Sequence, residues 1–225
     1  MGIALPRWVW VGAACLATTA GMINAVGYLG YEHQAVTHLT GTTTLLGMAI
    51  GQGRPAVALE LAALALSFVA GAILSGLIIQ NSTLRLGRRY GVALAVESAL
   101  LIAAVPLLER HSVLGVFLTA GACGLQNAMV TTYSGAIVRT THLTGLFTDI
   151  GLAIGHWIRG LPVGRRRVSL CLLIIVSFLI GGTLGVGLFS VAEYRALYVP
   201  AVLIGAVGVS YSVYRHWHPP GADVE

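Results

Sequence analysis

Two short stretches carry most of the candidate chemistry of this chain. HLTGTTTLLGMAIG begins at His38, and HLTGLFTDIGLAIG begins at His142. Each offers an imidazole, threonine hydroxyls and a glycine within a few residues. His38, Thr40, Gly41 and Thr44 in the first copy match His142, Thr144, Gly145 and Thr148 in the second. Histidine can bind a solute, move a proton near neutral pH or cap a helix end. The neighbouring threonines, including Thr42, Thr43, Thr140 and Thr141, can satisfy backbone groups freed by a helix break. A glycine tolerates the dihedral angles that such a break requires.

One carboxylate distinguishes the copies. Asp149 stands where the first copy has Leu45, so the repetition did not force it. It follows His142 by two helical turns on the same face. A carboxylate inside an apolar segment is costly and points to function, here the sensing of protons or cations, with a structural ion pair as the alternative. His142 and Arg139 are the partners expected. Glu97, in LAVESALLIAAV, is a second apolar-segment carboxylate and a candidate for proton coupling. Asn24 and Asn127 sit at matching places upstream of the two HLTG stretches. They either line a pathway, hold the broken segment or bond helix to helix. Glu60 and His156 lie near segment ends and read as interfacial.

The elements that must position these residues are membrane helices. Of the 225 residues, 56% are hydrophobic and 9% charged, whereas soluble domains carry about 25% charged residues. Mean hydropathy is +0.85. Apolar runs of membrane-spanning length recur, without the alternation of a barrel strand. The apolar segments are roughly 8–31, 36–52, 57–80, 90–108, 113–133, 137–157, 168–191 and 196–214. The run after Arg7 continues into GMINA, which recurs later, so it reads as part of the fold and not as a cleaved signal peptide. All 13 basic residues are arginine, clustered between the apolar runs. They read as topology signals facing anionic headgroups, not as a nucleic-acid surface. Cys15, Cys123 and Cys171 have no metal-ligand spacing and read as inert thiols. No cofactor is expected. GxxxxGK[ST], HExxH, CxxC and GxSxG are absent, which argues against a nucleotide-driven pump and the commonest hydrolases.

The matches extend beyond HLTG. GMINA (21–25) pairs with GLQNA (124–128), and SFVAGAILSG from Ser67 pairs with SFLIGGTLGVG from Ser177. Three matches in one order indicate a duplicated unit of half the chain, as in many transporter folds. The repeats are 1–110 and 111–217, with a polar tail at 218–225. The second segment of each repeat is short and polar. If both cross the membrane, there are eight spans and the repeats are parallel. The arginines then divide eight to five between the two faces. If neither crosses, there are six spans and the repeats are inverted. One face then holds ten and the other holds only Arg54, Arg110 and Arg195. The second division fits the positive-inside bias. The expected fold is all-α and polytopic, with an inverted duplication, about six full spans and two short or broken membrane segments. A seven-span form, with one short segment crossing, is the intermediate case. The spacings Gly47/Gly51, Gly151/Gly155 and Gly181/Gly185 read as close packing within the chain, with a homodimer seam as the alternative.

GMINAVGYL, THLTGTTTLLG, GLQNAMV and RTTHLTGLFTDIG together resemble the YoaK-type bacterial membrane proteins, a family classed as a domain of unknown function. The resemblance runs from about Gly12 to Tyr214. It departs at Thr42, where the family motif reads asparagine. It implies a polytopic inner-membrane protein, and a permease is the role usually guessed for the family. The expectation is therefore a multi-pass protein of the bacterial inner membrane with both termini cytoplasmic. It is surrounded by lipid, acts on a small solute or ion, and has no enzyme activity. Its central polar site is framed by the two HLTG segments. A membrane-embedded enzyme using His142 and Asp149, or an assembly scaffold, is the alternative.

Overall fold

The computed structural model describes residues 7–30, 37–79, 88–134 and 140–217. Arg85, Arg139 and the 218–225 tail lie outside them. The described residues form eight α-helices and one 3-10 turn, without strands. In order they are α1 (Arg7–Gly30), α2 (Leu39–Gly51), α3 (Pro55–Ile78), α4 (Arg88–Glu109), α5 (Val113–Ser134), α6 (Leu143–Ile158), α7 (Arg165–Ala192), the 3-10 turn (Glu193–Leu197) and α8 (Tyr198–Trp217). In lipid every backbone polar group must find its partner within the chain, and a helix does this segment by segment. Threonines inside the helices follow the same logic. The hydroxyls of Thr18, Thr119 and Thr132 each donate to the carbonyl four residues back.

Five stretches are long and apolar enough to cross a membrane, the last of them, Arg165–Val213, comprising α7, the 3-10 turn and most of α8. Helices of this composition mark an integral membrane protein. At 1.5 Å per residue, the 13 residues of α2 extend about 20 Å, and the 16 residues of α6 about 24 Å, against about 30 Å of hydrocarbon. Neither reaches across unaided.

Glycine decides which helices meet. A Cβ at Gly21 would run into the Phe178 carbonyl, and one at Gly181 into the Thr18 carbonyl, so α1 packs backbone to backbone on α7. A Cβ at Gly124 would strike the Phe68 carbonyl, and one at Gly71 the Gly121 carbonyl, so α5 packs the same way on α3. Gly185 continues the α1–α7 contact beside Met22 and Ala25, so these helices run parallel. Meanwhile α4 packs along α8 in the opposite sense. Gly91 meets Ser212, Leu94 meets Gly208, and Ser98 meets Gly205. The core gathers around α4 and α5, with Leu101, Ala104, Leu125 and Ile204 fully enclosed.

The ends of α1, α4 and α7 share one face. The Tyr194 hydroxyl, just after α7, donates to the carbonyl of Gly30 at the end of α1. Its ring stands edge-on to His111, in the turn after α4, at 6.4 Å, and to Phe189 at 5.9 Å. Arg195 donates to Glu109 at 2.7 Å across the same face.

Candidate functional site

The two HLTG stretches form arms, α2 and α6, that repeat one another from start to end. Each arm is tethered just before it begins. The Asn24 side-chain oxygen accepts the Thr37 hydroxyl at 2.8 Å and the Thr37 backbone N–H at 3.4 Å. The Asn127 amide donates to the Thr141 hydroxyl. Thr37 and Thr141 each directly precede the motif histidine. Asn24 lies six residues before the end of α1, and Asn127 seven before the end of α5. The tethers therefore hold each arm's start roughly 10 Å inside the end of the preceding helix.

Each histidine is the N-cap of its arm. The His38 carbonyl accepts the Thr42 N–H at 3.0 Å, and the His142 carbonyl accepts the Leu146 N–H at 3.3 Å. Neither imidazole caps through its side chain, and both are exposed. The ring lies over the glycine of the first turn. A Cβ at Gly145 would crowd the His142 ring, and one at Gly41 would lie 3.6 Å from His38 Nδ1. Thr40 and Thr144 are exposed, and their carbonyls accept the Thr44 and Thr148 hydroxyls at 3.0 Å each. The hydroxyls thus satisfy themselves along the arm and do not reach across to another helix.

The arms also stop alike. Gly53 has φ +66° and Gly160 φ +70°, a left-handed conformation that favours glycine. The N–H of Arg54 bonds Ala49 and that of Leu161 bonds His156, each at 2.9 Å. The glycine N–H of each arm bonds Ile50 or Trp157 at 3.0 Å. This is the Schellman ending. After it α3 begins at once with Pro55, whereas a further stretch, 161–164, precedes α7.

Three sequence expectations change on the structure. First, Asp149 does not pair with His142. Both of its oxygens accept from Arg167 Nη2, at 3.0 Å each, and Arg139 lies outside the described residues. Arg167 had read only as a topology signal. It reaches Asp149 because the stretch before α7 brings the first turn of that helix beside the middle of α6. Second, Gly47, Gly51, Gly151 and Gly155 are not close-packing sites within the chain, since an added Cβ at each would meet open space. The arms bury only Thr42, Ala49 and Leu146, and these glycines lie off that side. Gly181 and Gly185 do pack closely, against α1. Third, α2 packs on α3 and α6 on α7, with no packing between the arms. The described chain does not bring His38 and His142 together.

Glu97 stands apart from the arms. It is the tenth residue of the 22 in α4, fully buried, and neither carboxyl oxygen has a hydrogen-bond partner. Its helix packs on α3, α5, α8 and the 3-10 turn, not on α2 or α6. A residue not singled out from sequence, Gln126, lies one before Asn127. Its amide donates to the Leu16 carbonyl at 3.2 Å and to the Thr19 hydroxyl at 3.4 Å, tying α5 to α1. The matching residue of GMINA is Ile23, equally buried. The threonine tethers were legible in principle, because both copies read THLTG. The Gln126 bridge had no such signal.

This arrangement can hold two short helices by their starts and enclose one carboxyl between long helices. Comparison with curated proteins and with solved structures finds no match. A family model does match, over residues 12–210. The chain belongs to that family, the proteins of unknown function grouped as DUF1275.

Proposed function

We propose that this chain is a transporter or channel for a small solute or ion, built from two halves of opposite orientation. The antiparallel contact of α4 with α8, the fourth segments of the two repeats, carries the reading. Parallel repeats with eight crossings would make these helices run the same way. One further observation supports inversion, and a second supports the exchange of halves. The ends of α1, α4 and α7 gather on one face through Tyr194, Gly30 and His111. The α1–α7 contact is repeated by α5 on α3, as a two-fold exchange of halves requires. In this reading six helices cross, and the arms enter from opposite faces and leave by the face they entered. Arg54, Arg110 and Arg195 then share the face poorer in arginine, which the positive-inside bias places outside, leaving both termini in the cytoplasm.

Folds with inverted repeats move solutes by rocking one half against the other, and their short helices aim backbone N–H groups into the membrane. Here Asn24 and Asn127 set the depth of those helix starts. Asp149 and Arg167 act as a strut for the second arm. Neither His142 nor Asp149 serves as a catalytic acid or base, and no enzyme activity is part of the reading. The test is counterflow in proteoliposomes with a labelled panel of inorganic ions, amino acids and small organic acids. Uptake of one class above that of empty liposomes, lost in the Asn24→Ala/Asn127→Ala double variant, is expected. No uptake across the panel, with normal function of the variant in cells, would favour an assembly scaffold. The open glycines of the arms give that second reading its surface.

A further inference from the structure

Glu97 is the buried charge-bearing group that neither arm accounts for. It sits near the middle of α4, next to a residue that bonds α8. Its neighbour Ser98 donates to the Ala201 carbonyl of α8 at 2.8 Å. One turn along α8, a Cβ at Gly205 would lie 2.7 Å from the Ser98 hydroxyl. Three residues before Glu97, Leu94 faces Gly208. The shift of 110 that relates Ser67 to Ser177 exchanges Ser98 with Gly208 and Ala95 with Gly205, so the exchange axis of the two halves passes beside Glu97. The same shift pairs Glu97 with Val207, which is 50% exposed. The carboxyl is therefore an addition to one half at the point where the halves meet.

The surroundings narrow what it could hold. Across the helix interface, the buried Cys123 thiol belongs to α5, which packs on α4. Tyr90, Arg89 and Glu109 belong to its own helix, Glu60 to α3, Tyr198 and Tyr211 to α8, and Glu193, Tyr194 and Arg195 to the 3-10 turn. None of these hydrogen-bonds either oxygen of Glu97. An apolar side chain would fill the same volume without the cost of burying a polar group unpaired, about 1–3 kcal/mol or more. A metal cation would need about six oxygen ligands. Among the described residues no group of three or more His, Cys, Asp or Glu could hold one. A proton needs one oxygen.

We propose that Glu97 is a proton-binding site at the junction of the two halves. Hydronium gives its proton to the carboxylate when the α4–α8 contact is open to water. The resulting carboxyl carries the proton while the contact is closed, as it is here, and returns it to water on the other side. No redox change or co-reactant is involved. This inference rests on the two-half reading and supplies its coupling ion.

The test is infrared difference spectroscopy of the full chain in liposomes, between alkaline and acidic buffer, for the wild type, Glu97→Gln and Glu97→Asp. The expected result is a carboxyl C=O band in the wild type that is absent in Glu97→Gln and displaced in Glu97→Asp. Superposable spectra for the wild type and Glu97→Gln would overturn the proposal. Should Glu97→Gln fail to fold, an undisplaced band in Glu97→Asp would do the same. Thiol labelling of the arms on the same preparation separates the two failures. Arms on opposite faces with no Glu97 band refute the proton site alone. Arms on the same face with the band present refute the junction, and with it the coupling.

Discussion

The α2 and α6 arms begin and end alike but are fastened differently. Both start at a threonine held by an asparagine, both take histidine as N-cap, and both close on a glycine at positive φ. Among the described residues, α6 alone has a second polar anchor, the two hydrogen bonds from Arg167 to Asp149. The first arm has Leu45 there, 42% exposed. The backbone of the arm is thus specified by its ends, and its middle is free to diverge. The two arms thus share what holds their starts and ends and differ in what holds their middles. The second arm has the extra polar fastening, whereas the first lies more extensively against its bundle helix and buries Thr42 and Ala49 where the second buries Leu146.

Substitutions can break or sharpen this comparison, and the largest effect lies beneath the arms. Gly21→Ala and Gly124→Ala each force a methyl into a carbonyl of the facing helix. Each should cost about 3 kcal/mol, at the upper end of overpacking, and lower the unfolding midpoint in detergent by a similar amount in both halves. A large effect on one side only would show that the halves do not pack equivalently. Next come the tethers. Asn24→Ala leaves Thr37 without its side-chain acceptor, and Asn127→Ala leaves the Thr141 hydroxyl unbridged. Each should cost about 1–2 kcal/mol, Asn24 the more because it accepts two bonds. Proteolysis at the arm starts should rise in both variants. A silent pair would remove the tether from the account.

The strut is weaker. Asp149→Asn should cost at most about 1 kcal/mol, because the Arg167 side chain is 72% exposed and such pairs are screened. Its signature is geometry. The exchange Asp149→Arg with Arg167→Asp should restore the stability that either single change loses. Failure of that rescue would mean that Asp149 acts through something other than Arg167. The smallest effect separates the first turns. Gly41→Ala has room and should stabilise by a fraction of the roughly 1 kcal/mol that alanine gains over glycine in a helix. Gly145→Ala must first displace the His142 ring, so it should gain less or nothing in the same melting measurement.

Much of this was legible in the residues, for identifiable reasons. Apolar runs gave the long helices to within a few residues, because lipid imposes length and composition. The glycine, threonine and histidine content of 36–52 and 137–157 set these two segments apart from the long spans, and they form helices of 13 and 16 residues. Asn24 and Asn127 were visible as a repeated pair, with holding the arm among their readings. The partner of Asp149 was not legible. Arg167 is 18 positions away, and only the stretch before α7 brings it round. Glycine spacing also misled. Gly47/Gly51 and Gly181/Gly185 share one pattern, yet only the second meets another helix, since the pattern does not say which face is turned inward. Glu97 was visible in the sequence as a carboxylate within an apolar segment, but its place beside the α4–α8 contact required the register of two helices.

The central claim is that the arms enter the membrane from opposite faces. In a background lacking Cys15, Cys123 and Cys171, single cysteines at Gln52 and Arg159 mark the two arm ends without disturbing Gly53 or Gly160, whose positive φ disfavours a side chain. Intact cells are then treated with a membrane-impermeant thiol reagent. The account predicts labelling of Gln52→Cys in intact cells and of Arg159→Cys only after permeabilisation. The same behaviour at both sites would contradict it.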